Sequence, residues 1–165
     1  MNEKTPHWSE VDHEALEDTH RLAIADCVMS WAKCESNLRA LLTALEGRSL
    51  VQGAKDYDRL NPNDVWKKIK KLMRRDGASD HVLEAIQKHR DLCRSHYETR
   101  RVIVHAGCVG LWKRDRSFLA FSAFEQFDSN QMTLYWVPLS DLKNSADYAQ
   151  SAQKLALNLL QKLGH

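Results

Sequence analysis

The sequence predicts a mainly α fold: a bundle of four or five helices with a small three-stranded antiparallel β-meander before the last helix. Three observations carry this reading. Residues 20–46 and 80–105 space their core-type positions alternately four and three apart, the mark of helices packed along a seam. After Gly107 the pattern changes to period two and fills with aromatic and β-branched residues, which suits strands. From Ser140 onward, alanine and leucine return to helical spacing.

The bulk properties set the frame. A chain of 165 residues can form one domain with a real core, read here as a single domain over 1–165 with the meander inserted at about 108–137. The formal charge is only +2, so nucleic-acid binding has to come from a local patch. No apolar run is long enough to cross a bilayer, and the N-terminal MNEKTPHWSE lacks an apolar signal core. Cys27, Cys34, Cys93 and Cys108 form no CxxC pair and are read as reduced thiols in a cytoplasmic protein.

The elements follow in order. Residues 1–8 read as a loose arm. Ser9 with Asp12 three residues on resembles a capping box, so a helix is expected from about Glu10 to Glu46, with a break near Asp18–Thr19 and a stop at Gly47. Its second part carries the seam Ile24, Val28, Trp31, Glu35, Leu38, Leu42 and Leu45. A carboxylate within such a seam is costly unless paired or hydrated. Glu35 therefore either leans to the edge and reaches water or meets a cation on a facing helix. The connecting segment 47–62 leaves room for a short helix at Leu50–Tyr57.

A helix is expected over Asn63–Arg75, with Val65, Trp66, Ile69, Leu72 and Met73 as its apolar face. Lys67, Lys68, Lys70, Lys71, Arg74 and Arg75 fill the other face, either a solvated surface or a phosphate-binding stripe, with Lys67, Lys70, Lys71 and Arg74 as the candidate RNA contacts. Ser79 or Asp80 then caps a helix running to about His105. Its seam is Val82, Ile86, His89, Cys93, His96, Arg100 and Ile103, with Tyr97 and Val104 as the alternative phase for His96 and Ile103. Such a polar seam points to a cleft, a wet subunit interface or the Glu35 seam rather than plain core. Three strands are expected at Cys108–Lys113, Phe118–Gln126 and Met132–Val137, joined by Arg114–Arg116 and Asp128–Gln131. Pro138 ends the meander, and Ser140 caps a last helix that packs through Ala149, Ala152, Ala156, Leu160 and Leu163.

The chemistry narrows by elimination. His89, Cys93 and His96 share a helix face and could start a zinc site, but no fourth ligand is identifiable and HExxH is absent, so no metal or other cofactor is expected. GxSxG, GxxxxGK[ST] and GxGxxG are also absent. Arg100, Arg101 and His105 remain, with Glu35 as a partner. A histidine can move the proton of a ribose 2′-hydroxyl, and an arginine can stabilise charge on phosphoryl oxygens, so this group suits metal-independent RNA cleavage. The plainer alternative is structural ion pairs and a helix-ending histidine. On an ideal helix Arg100 and His105 differ by about 140°, whereas Arg101 and His105 share a face. Arg100 and His105 could converge if the helix loosens after Val104, or work together across a dimer interface.

Two motifs carry a family resemblance. Trp31-Ala32-Lys33-Cys34-Glu35-Ser36-Asn37-Leu38 has the form W-x-x-x-E-x-x-L, and the long helix ends R-x-x-x-x-H from Arg100 to His105. This resembles the HEPN superfamily, whose usual motif is R-N-x-x-x-H, often followed by Gly. Members are compact helical bundles, commonly dimeric, and many are metal-independent ribonucleases of toxin–antitoxin, abortive-infection or CRISPR-linked defence systems. The resemblance implies catalytic roles for Arg100 and His105 at a homodimer interface, with Glu35, Arg101, His96 and Tyr97 in support. It also implies RNA as substrate and an antitoxin protein as a partner. Arg101 stands where Asn is usual, and Ala106 separates His105 from Gly107. Inactive members of the superfamily serve as antitoxins or binding modules. An RNA- or protein-binding module is therefore the alternative function.

Overall fold

At the N-terminus a local signal loses to a distant one. The structure is a computed structural model and describes residues 7–13, 16–123 and 133–164. Where a helix is expected from Glu10, the chain makes one 3-10 turn, Trp8–Glu10, and then a two-residue strand, β1 (Val11–Asp12). His7, not Ser9, caps that turn, its ring accepting from the Ser9 amide at 3.2 Å. β1 pairs antiparallel with Leu111 and Trp112, and the Lys113 amide donates to the Glu10 carbonyl at 2.8 Å. Strand pairing satisfies the backbone groups that the cap would have served. The helix proper, α1, runs Asp18–Leu45, and Gly47 closes it at φ 64°, a left-handed position that glycine takes without strain.

The remaining helices match their sequence signals closely. α2 is Leu50–Tyr57, opened by a Ser49–Gln52 capping box. α3 is Pro62–Arg75, with Asn61 as its cap and Pro62 in its first turn. α4 is Asp80–His105 and α5 is Leu139–Lys162. Three strands follow α4: β2 (Gly107–Trp112), β3 (Asp115–Ala123) and β4 (Thr133–Pro138). With β1 they form an antiparallel sheet in the order β1-β2-β3-β4, one strand more than expected. The fold is mainly α. The loose arm over 1–6, the expected strand residues 124–126 and Met132, and the link Asp128–Gln131 lie outside the described residues.

The chain divides into two compact units, with break points inside α1, α4 and α5. The first comprises residues 1–28 and 98–146 and holds the sheet. Here β3 departs from simple alternation, because Leu119–Ala123 are all buried. A strand covered on both faces loses its period-two signature. Gly110 sits at a break in the β2–β3 register with φ 146°, and a Cβ there would overlap the Asp12 carbonyl of β1. Only glycine lets β1 come this close.

The second unit comprises residues 29–97 and 147–165 and is helical. Its core includes Trp31, Leu38, Leu42, Trp66, Ile69 and Ile86, all at most 1% exposed. The phase of the α1 seam is corrected. Cys27 and Cys34 are fully buried while Val28 is 38% exposed, so the stripe there runs one residue earlier than the expected Ile24–Val28 row. The last helix drifts likewise: Leu159 is buried in place of Leu160, and Leu163 is exposed. A helix of 3.6 residues per turn slips against a strict seven-residue repeat, and over a long helix the buried face moves by one position.

Candidate functional site at the end of α4

α4 passes into β2 through the single residue Ala106, whose amide bonds the Val102 carbonyl at 2.8 Å. His105 is thereby fixed as the last helical residue, two positions before a strand paired with β3. It is exposed. The β3–β4 register sets Phe121 opposite Tyr135 and Ala123 opposite Thr133, so Tyr135 shares a sheet face with Ala123. Arg101, Val102, His105 and Ala106 from α4, with Ala123 and Tyr135 from the sheet, line one open concavity of about 220 Å³. This is below the ~300–1,000 Å³ of sites that enclose a drug-sized ligand.

The electrostatics centre on Arg101. Its Nε donates to Glu98 at 2.9 Å, one turn back on α4. That bond holds the guanidinium while its two terminal nitrogens have no hydrogen bond among the described residues. A planar fork held this way can donate two parallel bonds to phosphate oxygens. Arg100 does not line the concavity. It is half-buried, and its charge reaches the buried Cys27 thiol, whose pKa is raised by burial and lowered in part by a Ser145 hydrogen bond and by Arg100. Within this unit the arginine beside His105 is Arg101.

The other expected residues have definite places. Glu35 accepts from Arg39 at 3.3 Å, one turn on along α1, and its side chain is 11% exposed. Arg39 also donates to the carbonyls of Tyr57, Asp58 and Leu60. Inside its own unit Glu35 thus meets a cation one turn along its own helix. His96 stacks on Tyr148 of α5 with ring centres 4.9 Å apart, and Tyr97 meets Trp31 edge-on at 5.6 Å. His89 bonds the Ala85 carbonyl at 2.9 Å and the Ser151 hydroxyl at 3.2 Å, and the Tyr148 hydroxyl donates to the His89 carbonyl. His89 and His96 are thus packed inside the chain. Ile103 is buried and Val104 exposed, which selects the first of the two phases there.

The chain matches no protein-family model, no curated protein sequence and no solved structure.

The basic face of α3 is divided, with Lys68 and Arg75 lining a separate concavity beside Glu46. Lys67, Lys70, Lys71 and Arg74 line one groove of about 240 Å³, joined by Gln87 and Arg90 of α4. Arg90 and Tyr135 are the site residues that sequence reasoning missed. Arg90 lies sixteen or more positions from the stripe and Tyr135 thirty from His105, with no local pattern tying them. Among the described residues no group of three or more His, Cys, Asp and Glu side chains could hold a metal ion, and no helix is long and apolar enough to cross a membrane.

Proposed function

We propose that this chain is a metal-independent endoribonuclease of the HEPN type, a cytoplasmic toxin or defence effector that works as a homodimer and is restrained by an antitoxin protein. The observation that carries the reading is the concavity shared by His105 and Arg101. Neutral His105 takes the proton of a ribose 2′-hydroxyl, and the 2′-oxygen attacks the adjacent phosphorus. The bond from phosphorus to the 5′-oxygen breaks, that oxygen takes a proton from water at the open side of the concavity, and His105 returns its proton to the hydroxide left behind. The terminal nitrogens of Arg101 stabilise the charge that builds on the phosphoryl oxygens, and Glu98 holds the guanidinium in place. The family resemblance gives this role to Arg100, and the two arginines are told apart by substitution. The products carry a 2′,3′-cyclic phosphate and a 5′-hydroxyl.

The test is cleavage of single-stranded RNA in EDTA, with a 2′-deoxy residue at the scissile position as control. Cleavage that persists in EDTA, stops at the deoxy position and yields the cyclic phosphate is expected. A second reading, a non-catalytic RNA- or protein-binding module, is supported by Arg101 in the position usually held by Asn and by its ion pair with Glu98. It replaces the first if the wild-type chain binds RNA or a partner and cleaves nothing while Arg101→Asn cleaves.

A further inference from the structure

The helix α3 carries its cations in two settings. Arg75 is paired with Asp76 at 2.6 Å, and Lys68 lies 5.5 Å over the Tyr57 ring. Both face a concavity that also contains the Glu46 carboxylate. On that side positive charge is already answered within the chain. Although Lys71 also borders the concavity that holds Glu46, the groove lined by Lys67, Lys70, Lys71, Arg74, Gln87 and Arg90 is different. It contains no carboxylate, and among the described residues Lys67, Lys71, Arg74 and Arg90 make no ion pair. Lys70 donates to Gln87 at 2.5 Å, a bond that ties α3 to α4 across the groove. Gln87 in turn donates to Asp91, which engages the nearest acid of that network outside the lining.

The five cations that line this groove repel each other, and a bound polyanion relieves that repulsion. We infer that this groove is a binding site for the sugar–phosphate backbone of single-stranded RNA, separate from the residues that line the His105 concavity. The assignment rests on the proposed ribonuclease reading only for its choice of RNA as the polyanion. Lys67 to Arg74 spans about 10.5 Å along the helix axis, room for a short run of backbone phosphates. Among the described residues no aromatic side chain lines the groove, so they offer no platform on which bases could stack. Binding is therefore through phosphates, indifferent to sequence and steeply salt-dependent.

The test uses a fluorescent 2′-O-methyl single strand, which keeps the phosphates and lacks the attacking hydroxyl, so binding is read whether or not the chain cleaves RNA. The triple variant Lys67→Gln, Lys71→Gln, Arg74→Gln is expected to bind at least ~10-fold more weakly at low salt and to flatten the slope of log affinity against log salt by about 2. The charge-keeping variant Lys67→Arg, Lys71→Arg, Arg74→Lys retains affinity within about twofold, because phosphate attraction at this groove depends on charge. The pair Lys68→Gln, Arg75→Gln removes charge from the same helix on its other side and leaves affinity unchanged. Circular dichroism confirms that each variant is folded. The inference is overturned if the wild-type chain fails to bind the strand, if the triple variant binds as the wild type does, or if polyglutamate binds more tightly than RNA. It is equally overturned if His105→Ala abolishes binding while the triple variant keeps it. Loss of cleavage in His105→Ala with binding retained supports both sites, and absence of cleavage with a groove-dependent salt slope removes only the enzyme reading.

Discussion

Arg101 and His105 stand one helical turn apart on α4 and line the same concavity, while Arg100 lines none of it. The i, i+4 spacing places side chains on one face, and the i, i+5 spacing separates them by about 140°. The arginine nearest the expected proton-moving group is therefore the one that replaces the usual asparagine of the family motif. His105→Ala is expected to lose at least ~10²-fold in the rate of RNA cleavage, the low end for one general acid–base group. Arg101→Ala is expected to lose a similar factor, roughly 10²-fold, through charge stabilisation. Glu98→Gln keeps the hydrogen bond and weakens only the charge, so it should cost far less than Arg101→Ala. Single-turnover rates on a short RNA check all three. Full activity in Arg101→Ala with loss in Arg100→Ala would transfer the role to Arg100.

The homodimer has its own test. His89 and His96 are packed against α5 within one chain, so the polar seam argues less for a subunit interface than its sequence pattern did. The remaining ground is the resemblance to a family whose motif works as a pair. Light scattering across a dilution series should show a dimer. A monomer persisting at roughly tens of micromolar rules out a dimer with an interface of ordinary size.

Gly110→Ala should destabilise the sheet-bearing unit. The residue holds φ 146°, and the added methyl group would overlap the Asp12 carbonyl. Backbone strain alone costs on the order of 1–3 kcal/mol, and detaching β1 would add the loss of its pairing with Leu111 and Trp112. Urea unfolding measures the loss. An unchanged midpoint would mean that β1 contributes nothing to stability.

Alkaline pH should unfold the helical unit through two buried acids. Burial pushes the Cys93 thiol up to about 11, with a Tyr148 hydrogen bond opposing, and Glu35 adds to the rise. Burial, then the hydrogen bond to Glu46, pushes the Tyr57 phenol up to about 12. Both groups hold their protons more tightly when folded than when unfolded. Their contribution is complete below the ordinary thiol value of about 9 and is lost as pH rises through 11 and then 12. Tyr57→Phe should therefore lose less stability than the wild type between about pH 10 and 12, as read by denaturant titration. The thiols respond in parallel. Cys27, Cys34 and Cys93 are buried and Cys108 is only half-buried, so Cys108 should be alkylated first in the native chain.

Much of the fold was legible because its signals are local. Gly47 marks the end of α1 as expected, and the helices expected at Leu50–Tyr57 and Asn63–Arg75 are found at Leu50–Tyr57 and Pro62–Arg75, their ends set by groups within one turn. The i, i+4 relation of Arg101 and His105 was likewise fixed by helix geometry alone.

What only the tertiary structure decided lies between residues far apart in the chain. Val11 and Asp12 abandon a helical signal because Leu111 and Trp112, a hundred positions away, offer them a sheet edge. The seam on α1 passes through Cys27 and Cys34 rather than Val28, because the buried face is chosen by what packs on it, not by which apolar residue is larger. Arg90 joins the α3 lysines, and Tyr135 joins His105, only through the packing of elements that the sequence lists separately. Helix period and capping act over a single turn and are written in the sequence. Strand partners, seam phase and the far walls of a groove depend on contacts across the fold, where the chain's order carries no distance.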